Sequence, residues 1–123
     1  MVYGIQGSNV TFHWTLAFGN SDDWKNFMEL DWGTTKHKDY NEIDNKYVTV
    51  TKKKKVKNPN LDASVKSRVD ATLVNCSQSG CDVIFVIRSV TEKDAKYFYN
   101  CIANIDYDHV QSGPISLVIS GNS

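Results

Sequence analysis

The sequence predicts an all-β fold, a single domain over residues 1–123 in which two antiparallel sheets pack face to face. Short segments with alternating apolar and polar side chains recur along the chain, and Gly, Asn, Asp and Ser separate them. No long segment keeps the 3.6-residue period of an amphipathic helix. Two packed sheets are the usual way for this many short strands to bury their apolar faces.

Alternation predicts the strands of the N-terminal half in order. Residues 2–6 form the first, and Gly7-Ser8 separates it from a second whose apolar positions are 10, 12, 14 and 16. In a third strand Met28, Leu30 and Trp32 alternate with acidic residues, which predicts that these three face the core. Residues 47–50 are a fourth candidate, and residues 40–43 a shorter one.

The C-terminal half contains a predicted hairpin and a final strand pair. Residues 66–74 lead through a turn into residues 82–88, and residues 96–104 and 114–120 form the last two strands, joined by a loop at residues 105–113. The turn of the hairpin is Ser-Gln-Ser-Gly between Cys76 and Cys81. Such a turn brings its flanks within disulfide reach, for a stabilisation of about 2–3 kcal/mol. Cys101, the third cysteine, is then a free, buried thiol.

Composition and charge limit the classes of function. The chain has 14 basic and 14 acidic residues and no net charge, so no global field attracts nucleic acid or a membrane. Its longest apolar run, residues 83–87, has the length of a strand and not of a membrane-spanning helix. The first residues lack the basic start and apolar stretch of a signal peptide, and we expect a mature fragment that is not itself inserted in a membrane.

Catalytic and cofactor motifs are missing from the sequence. The three histidines are scattered without HxH or HExxH spacing, and we expect no metal site. There is no G-x-S-x-G, P-loop or dinucleotide fingerprint, and the acidic residues show no pairing typical of general acid and base. We therefore expect neither an enzyme nor a cofactor, and the remaining class is a protein that binds other molecules.

Residues 90–101, VTEKDAKYFYNC, resemble the corner between strands E and F of V-set immunoglobulin domains. The resemblance covers nearly the whole chain: residues 7–12 are similar to the A′–B entry, Leu30-x-Trp32 to the C strand with its core tryptophan, and Phe85-x-Ile87-x-x-Val90 to strand E. It implies a V-set sandwich with a Greek-key topology. It also implies an ion pair between Arg68, at the start of strand D, and Asp94 of the corner.

Two departures from the V-set pattern concern the disulfide between strands B and F. Trp14 stands where strand B has its cysteine, and we expect it to fill core space that the disulfide otherwise occupies. The interval from Asp94 to Cys101 is one residue longer than usual, so two registers are open. Either Phe98 and Asn100 or Tyr99 and Cys101 point inward. We prefer the second register, because the first buries Asn100 at a cost of about 1–3 kcal/mol if it is unpaired.

A V-type pattern without the B–F disulfide and with a short extra cysteine loop is similar to the membrane-distal domain of hydroid (colonial cnidarian) allorecognition receptors. This resemblance implies an extracellular location at the cell surface, in a full-length protein that is anchored in the membrane. It also implies that the partner is a protein, the same receptor on an opposing cell. Two other functions stay open: a secreted immune-type domain that binds a foreign protein or glycan, and a structural spacer.

The preferred register predicts a binding face on the sheet that contains strands G, F, C and C′. With Tyr99 inward, Phe98 and Ile102 are apolar side chains that point outward, which is typical of contact sites. The alternative is that neighbouring loops cover them. Charged rim residues and the loop after strand F complete the predicted partner-binding set, which is Glu29, Asp31, Lys36, Phe98, Asn100, Ile102, Asn104, Asp106, Tyr107 and His109.

Two surface features are open to more than one interpretation. Residues 52–57, KKKKVK, could attract heparin-like glycans or a membrane, but a solvated edge strand, where lysines deter edge pairing, is the simpler interpretation. Asn9-Val10-Thr11 and Asn75-Cys76-Ser77 fit the N-glycosylation pattern. A sugar at either asparagine would exclude that surface from a tight interface.

Overall fold

The computed structural model describes residues 1–38, 42–106, 108–111 and 113–121. Within these residues ten strands form two sheets, which confirms the prediction of an all-β sandwich. The connections contain helix α1 (Ser21–Asn26), helix α2 (Ala63–Lys66) and a short 3₁₀ helix (Glu92–Lys96). The strands are β1 (Val2–Ile5), β2 (Val10–Ala17), β3 (Phe27–Thr35), β4 (Asn45–Val50), β5 (Lys55–Lys57), β6 (Val69–Ser77), β7 (Gly80–Ile87), β8 (Phe98–Ile105), β9 (Asp108–Gln111) and β10 (Ile115–Ser120).

The larger sheet has the strand order β1-β10-β8-β3-β4-β5, and β9 pairs with β8. The smaller sheet has the order β2-β7-β6. Strand β1 runs parallel to β10, whereas the other described pairs are antiparallel. Successive strands along the chain often lie in different sheets, so the apolar faces of the two sheets meet across one core.

Aromatic rings from both sheets form the centre of the core. Trp32 of the larger sheet stacks on Phe85 of the smaller one with ring centroids 4.5 Å apart, and Phe12 approaches Tyr99 to 4.8 Å. Burial along β2 alternates strictly, as predicted, so its apolar face lies in the core and its polar face outside. In β8 Tyr99, Cys101 and Ala103 belong to the hydrophobic core and Phe98, Ile102 and Asn104 are half-buried, which agrees with the preferred register, although Asn100 is buried as well.

The corner before β8 joins the two sheets through Asp94. The Arg68 guanidinium, at the entry to β6, donates from its two terminal nitrogens to the Asp94 carboxylate over 2.9 and 3.0 Å. This bond raises the pKa of Arg68. The carboxylate also accepts the Thr91 N–H at 2.8 Å, and the Tyr99 hydroxyl donates to the Asp94 carbonyl over 2.8 Å. The predicted pairing of Arg68 with Asp94 is therefore present.

The start of β3 differs from the prediction. A register shift between Phe27 and Glu29 leaves Met28 42% exposed, whereas Phe27 is buried. Phe27 packs instead with Phe18 and with Trp24 of α1. Such a bulge adds one residue to a strand and exchanges the faces of the residues before it, which alternation alone does not reveal.

Helix α1 and strand β9 were not predicted. The Asn20 side chain caps α1 by accepting the N–H groups of Asp22 and Asp23, so six residues suffice for a helical turn. Strand β9 occupies much of the segment that was predicted as a loop, residues 105–113. Of the predicted short strand at residues 40–43, residues 40 and 41 lie outside the described part and residues 42 and 43 are not in a strand.

Cys76 and Cys81 form the predicted disulfide at the β6–β7 turn. Cys101 is free and buried, as predicted. Among the described residues, no helix has both the length and the apolar character needed to cross a bilayer.

Candidate protein-binding face

The outer face of the larger sheet contains a concavity of about 420 Å³. Strands β3 and β8 build it, because Asp31 lies opposite Ile102 and Glu29 opposite Asn104, and these positions alternate with the core positions. Strand β9 contributes His109, which pairs with Asn104. The residues that line the concavity are Glu29, Asp31, Glu42, Ile43, Lys46, Ile102, Asn104 and His109.

Hydrogen bonds and an ion pair hold the polar wall of this concavity in place. The Thr49 hydroxyl donates to one oxygen of Asp31 over 2.6 Å, and Lys46 Nζ lies 3.3 Å from the other. Because Asp31 is held from both sides, the carboxylate is pre-organised for a contact rather than free to rotate. Glu29 and Glu42 add two further acidic groups to the lining.

Asn104 lines the concavity and has a polar atom that is unpaired within the described residues. Its side-chain oxygen is buried and has no hydrogen-bond partner in the part of the chain that the structure describes. A buried amide oxygen without a donor costs about 1–3 kcal/mol. Because this oxygen is buried, a bound partner would reach it only if the Asn104 side chain moved.

The two predicted apolar anchors differ in position and are less exposed than predicted. Both Phe98 and Ile102 are half-buried. Ile102 lies in the lining of the concavity, whereas Phe98 lies further along β8, between Thr35 of β3 and Ser116 of β10. The concavity therefore has one apolar side chain from β8, and the structure does not bring Phe98 to it.

Asn100 was predicted to be an outward partner-binding residue, and this is wrong because its side chain is 0% exposed. It lies opposite Gly33 in the register of β3 and β8. Because Gly33 has no side chain, the neighbouring strand β4 approaches it closely, and a Cβ at this position would clash with the Asn45 carbonyl and the Lys46 Cα. The Asn100 side-chain oxygen accepts the N–H of Cys101 at 2.9 Å, so burial does not leave that oxygen unpaired.

A tight hairpin replaces the predicted recognition loop. Ile105 pairs with Asp108 across the turn, and Asp106 has a left-handed backbone with φ of 51°. Asp106 and His109 are exposed, so both are accessible as predicted. Tyr107 lies outside the described residues. A hairpin continuous with β8 holds its residues more rigidly than a loop does.

The sequence pattern did not indicate three of the lining residues, Glu42, Ile43 and Lys46. Lys36 was predicted to bind the partner but does not line the concavity. Lys36 is exposed, and its N–H donates to the Asp44 carboxylate over 2.9 Å. The alternation of β4 could have indicated Lys46, which points away from the buried Tyr47. Ile43 precedes the strand, and no periodic signal indicates where such a residue points.

The two candidate glycosylation sites lie on exposed surface away from the concavity. Asn9 accepts the Ser89 N–H on its side-chain oxygen at 3.2 Å. The Asn75 amide nitrogen, where a sugar would attach, donates to Asp82 over 3.2 Å. With His13, this contact lowers the pKa of Asp82. A sugar at Asn9 or Asn75 would leave the concavity open.

Cys101 has the environment of an unreactive thiol. It is buried opposite Trp32, and burial raises its pKa well above the usual range, so the reactive thiolate is scarce at neutral pH. We expect one thiol per chain, unlabelled in the native domain and fully labelled by iodoacetamide in denaturant, as measured by mass spectrometry. Reduction before labelling is the control and should expose three thiols. Rapid native labelling would contradict the burial of Cys101.

The described residues contain no group of three or more His, Cys, Asp or Glu side chains that could hold a metal ion. No family model matches the chain, and the comparison with curated proteins found no significant match.

Proposed function

We propose that this chain is a V-set immunoglobulin domain that serves as the extracellular recognition and adhesion domain of a cell-surface receptor. It binds the same receptor on an opposing cell, as in the hydroid allorecognition receptors that the sequence resembles. The observation that carries the proposal is the concavity on the outer face of the larger sheet, which Ile102 and Asn104 line together with charged side chains.

Strand order supports the V-set assignment. The order β1-β10-β8-β3-β4-β5 corresponds to A′-G-F-C-C′-C″, and β2-β7-β6 corresponds to B-E-D. The Arg68–Asp94 pair and the Tyr99 hydroxyl bond at the corner add two local features of that family. Trp14 then occupies the place of the strand B cysteine, and Cys101 is the remaining half of the B–F disulfide.

The charges of the concavity limit how two identical copies can meet. A two-fold related contact brings each residue close to groups of the same face on the partner. The lining has three carboxylates and one lysine, Lys46, which pairs with Asp31, so an attractive contact has to place Lys46 of each copy near Glu29 or Glu42 of the other. Substitutions of these charged residues would change which partner fits, which is what recognition of self requires.

The disulfide supports an extracellular location. Bridges such as Cys76–Cys81 form and persist in oxidising compartments and are rare in reducing ones. We expect one pair of domains to bind weakly, and many copies on two apposed cells to supply avidity.

We expect that arginine at Ile102 abolishes homophilic adhesion. Beads coated with the wild-type domain should aggregate, and beads coated with Ile102→Arg should neither aggregate nor join wild-type aggregates. The reason is that a charged group would replace the apolar floor of the contact. Ile84→Arg is the matched control, because Ile84 is also half-buried in mid-strand but belongs to the smaller sheet.

Two outcomes would contradict the proposal. If Ile102→Arg beads aggregate as Ile84→Arg beads do, the contact does not use this face. If wild-type beads do not aggregate at all, the domain is not homophilic, and a secreted domain for a foreign ligand or a spacer becomes the better hypothesis. Circular dichroism of both variants verifies that they are folded.

A further inference from the structure

Seven lysines gather along one edge of the sandwich, which we name the basic edge. They belong to the end strand β5, the turn before it, and the adjacent helices α1 and α2. Lys52 Nζ lies 3.3 Å from the Lys25 carbonyl oxygen, and Lys57 Nζ donates to the Lys66 carbonyl over 2.8 Å, so these elements are in contact. The members of the basic edge are Lys25, Lys52, Lys53, Lys54, Lys55, Lys57 and Lys66.

The basic edge makes the charge distribution of the domain strongly asymmetric. It holds seven of the 14 basic residues of a chain whose net charge is zero, so the remaining surface is net acidic. Asp70 contacts the edge at 2.6 Å from Lys55 Nζ and 3.7 Å from Arg88, while Asp22 and Asp23 lie on α1 and Asp62 caps α2. Burial would raise the pKa of Asp70, but the hydrogen bonds from Lys55 and from the Ala71 N–H lower it. The seven lysines outnumber these four carboxylates.

The turn between β4 and β5 is fixed in a conformation that presents consecutive lysines. The Thr51 hydroxyl accepts the N–H groups of Lys53 and Lys54 at 3.3 and 3.2 Å, and the Thr51 N–H donates to the Lys54 carbonyl over 2.8 Å. Both lysine side chains are exposed, and neither forms an ion pair within the described residues. Protection of the sheet edge accounts for Lys55 and Lys57 in β5, but not for lysines in the turn.

A groove of about 380 Å³ lies between this turn and β6. Residues 52–55 line it together with the half-buried Leu73, and the almost fully buried Val50 and Ala71 lie behind them. Trp24 also lines the groove, with Lys52 Nζ 4.5 Å from the centre of its ring. A ligand here would meet positive charge along one side and apolar surface below.

We propose that the basic edge binds a linear polyanionic polysaccharide, such as a sulfated glycan, in this groove. Lysine ammonium groups are flexible point charges that can follow sulfates spaced along a chain. Apolar surface in the groove suits the faces of sugar rings, whereas a flat bilayer would contact the rim alone. Single-stranded nucleic acid binds by stacking on free aromatic faces, and Lys52 occupies the face of Trp24.

This site lies at the β5 edge of the larger sheet, whereas the concavity of the proposed homophilic contact lies over β3, β8 and β9. The domain could therefore hold an anionic glycan and still present the concavity to an opposing cell. Glycan binding at the basic edge does not depend on homophilic adhesion, and each of the two activities can be absent without the other.

Binding of heparin tests the proposal directly. We expect the domain to bind heparin at about 50 mM NaCl, and the logarithm of the affinity to fall linearly with the logarithm of the salt concentration. In Lys53→Ala/Lys54→Ala the salt slope should fall by about two and the affinity at least about tenfold. Lys93→Ala/Lys96→Ala is the matched control, because it removes two exposed charges from the 3₁₀ helix and should leave both values unchanged.

Three outcomes would overturn the proposal. The first is that the domain does not bind heparin at low salt. The second is that the two double variants lose the same amount of heparin affinity, which would show an effect of net charge alone. The third is tighter binding to vesicles with 30% phosphatidylserine, or to a single-stranded oligonucleotide, than to heparin at equal salt. Loss of binding in the turn variant, with the control unaffected and desulfated heparin inactive, would support it.

Discussion

Replacing Asp94 by alanine is expected to lower the free energy of unfolding by about 3–4 kcal/mol. The Asp94 side chain is 5% exposed and that of Arg68 21% exposed, so the guanidinium would be left largely buried without its counter-charge. The Thr91 N–H would also lose its acceptor. Loss of a partner from a buried ion pair is costly because the remaining charge is poorly solvated.

Urea denaturation followed by tryptophan fluorescence measures this loss. Asp94→Asn keeps an acceptor for Thr91 but removes the charge, and we expect it to lie between the wild type and Asp94→Ala. Lys55→Ala is the control, since it breaks the half-exposed pair with Asp70 and should cost less than about 1 kcal/mol. A loss from Asp94→Ala as small as that from Lys55→Ala would show that the corner does not hold the two sheets together.

Replacing Trp14 by alanine is expected to cost about 3–5 kcal/mol. The side chain is 5% exposed, stacks on Phe12 at 5.7 Å and meets Phe85 edge-on at 5.4 Å. It also borders a separate pocket of about 300 Å³, which Cys101 and Val110 line as well. Removal of the indole would enlarge this space, because the strands on either side are fixed by their hydrogen bonds.

Phenylalanine at position 14 should cost much less, about 1 kcal/mol. The indole Nε1 of Trp14 is buried and has no hydrogen-bond partner among the described residues, so its removal relieves an unpaired donor while the ring stacking is kept. Thr11→Ala, on the exposed face of the same strand, is the control and should change stability by less than about 0.5 kcal/mol. Equal losses from Trp14→Phe and Trp14→Ala would mean that the indole nitrogen makes a stabilising bond.

Most of the core could be predicted from alternation. In β2 the buried positions include Val10, Phe12 and Trp14, and in β8 Tyr99 and Cys101 point inward, because adjacent side chains of a strand point to opposite faces. Met28 was misassigned because the bulge after Phe27 inserts a residue without changing the pattern of residue types. A periodic signal identifies the faces of a strand but not where its register shifts.

The binding face could be predicted only in part. The outward direction of Asp31 follows from alternation in β3, and that of Ile102 and Asn104 from the register of β8, since one residue of slip exchanges the faces. Their gathering into a concavity also involves Glu42 and Ile43, which precede β4, and no periodic signal indicates where such residues point.

The sequence by itself determined the all-β sandwich, the disulfide at the β6–β7 turn and which face of each regular strand is buried. These depend on properties of neighbouring residues, namely side-chain alternation and turn composition. The tertiary structure alone decided that Asn100 is covered, that Ile102 is half-buried and that seven lysines share one edge. The exposure of a side chain on an outer face depends on which other segments lie close to it, and those segments can be far away in the sequence.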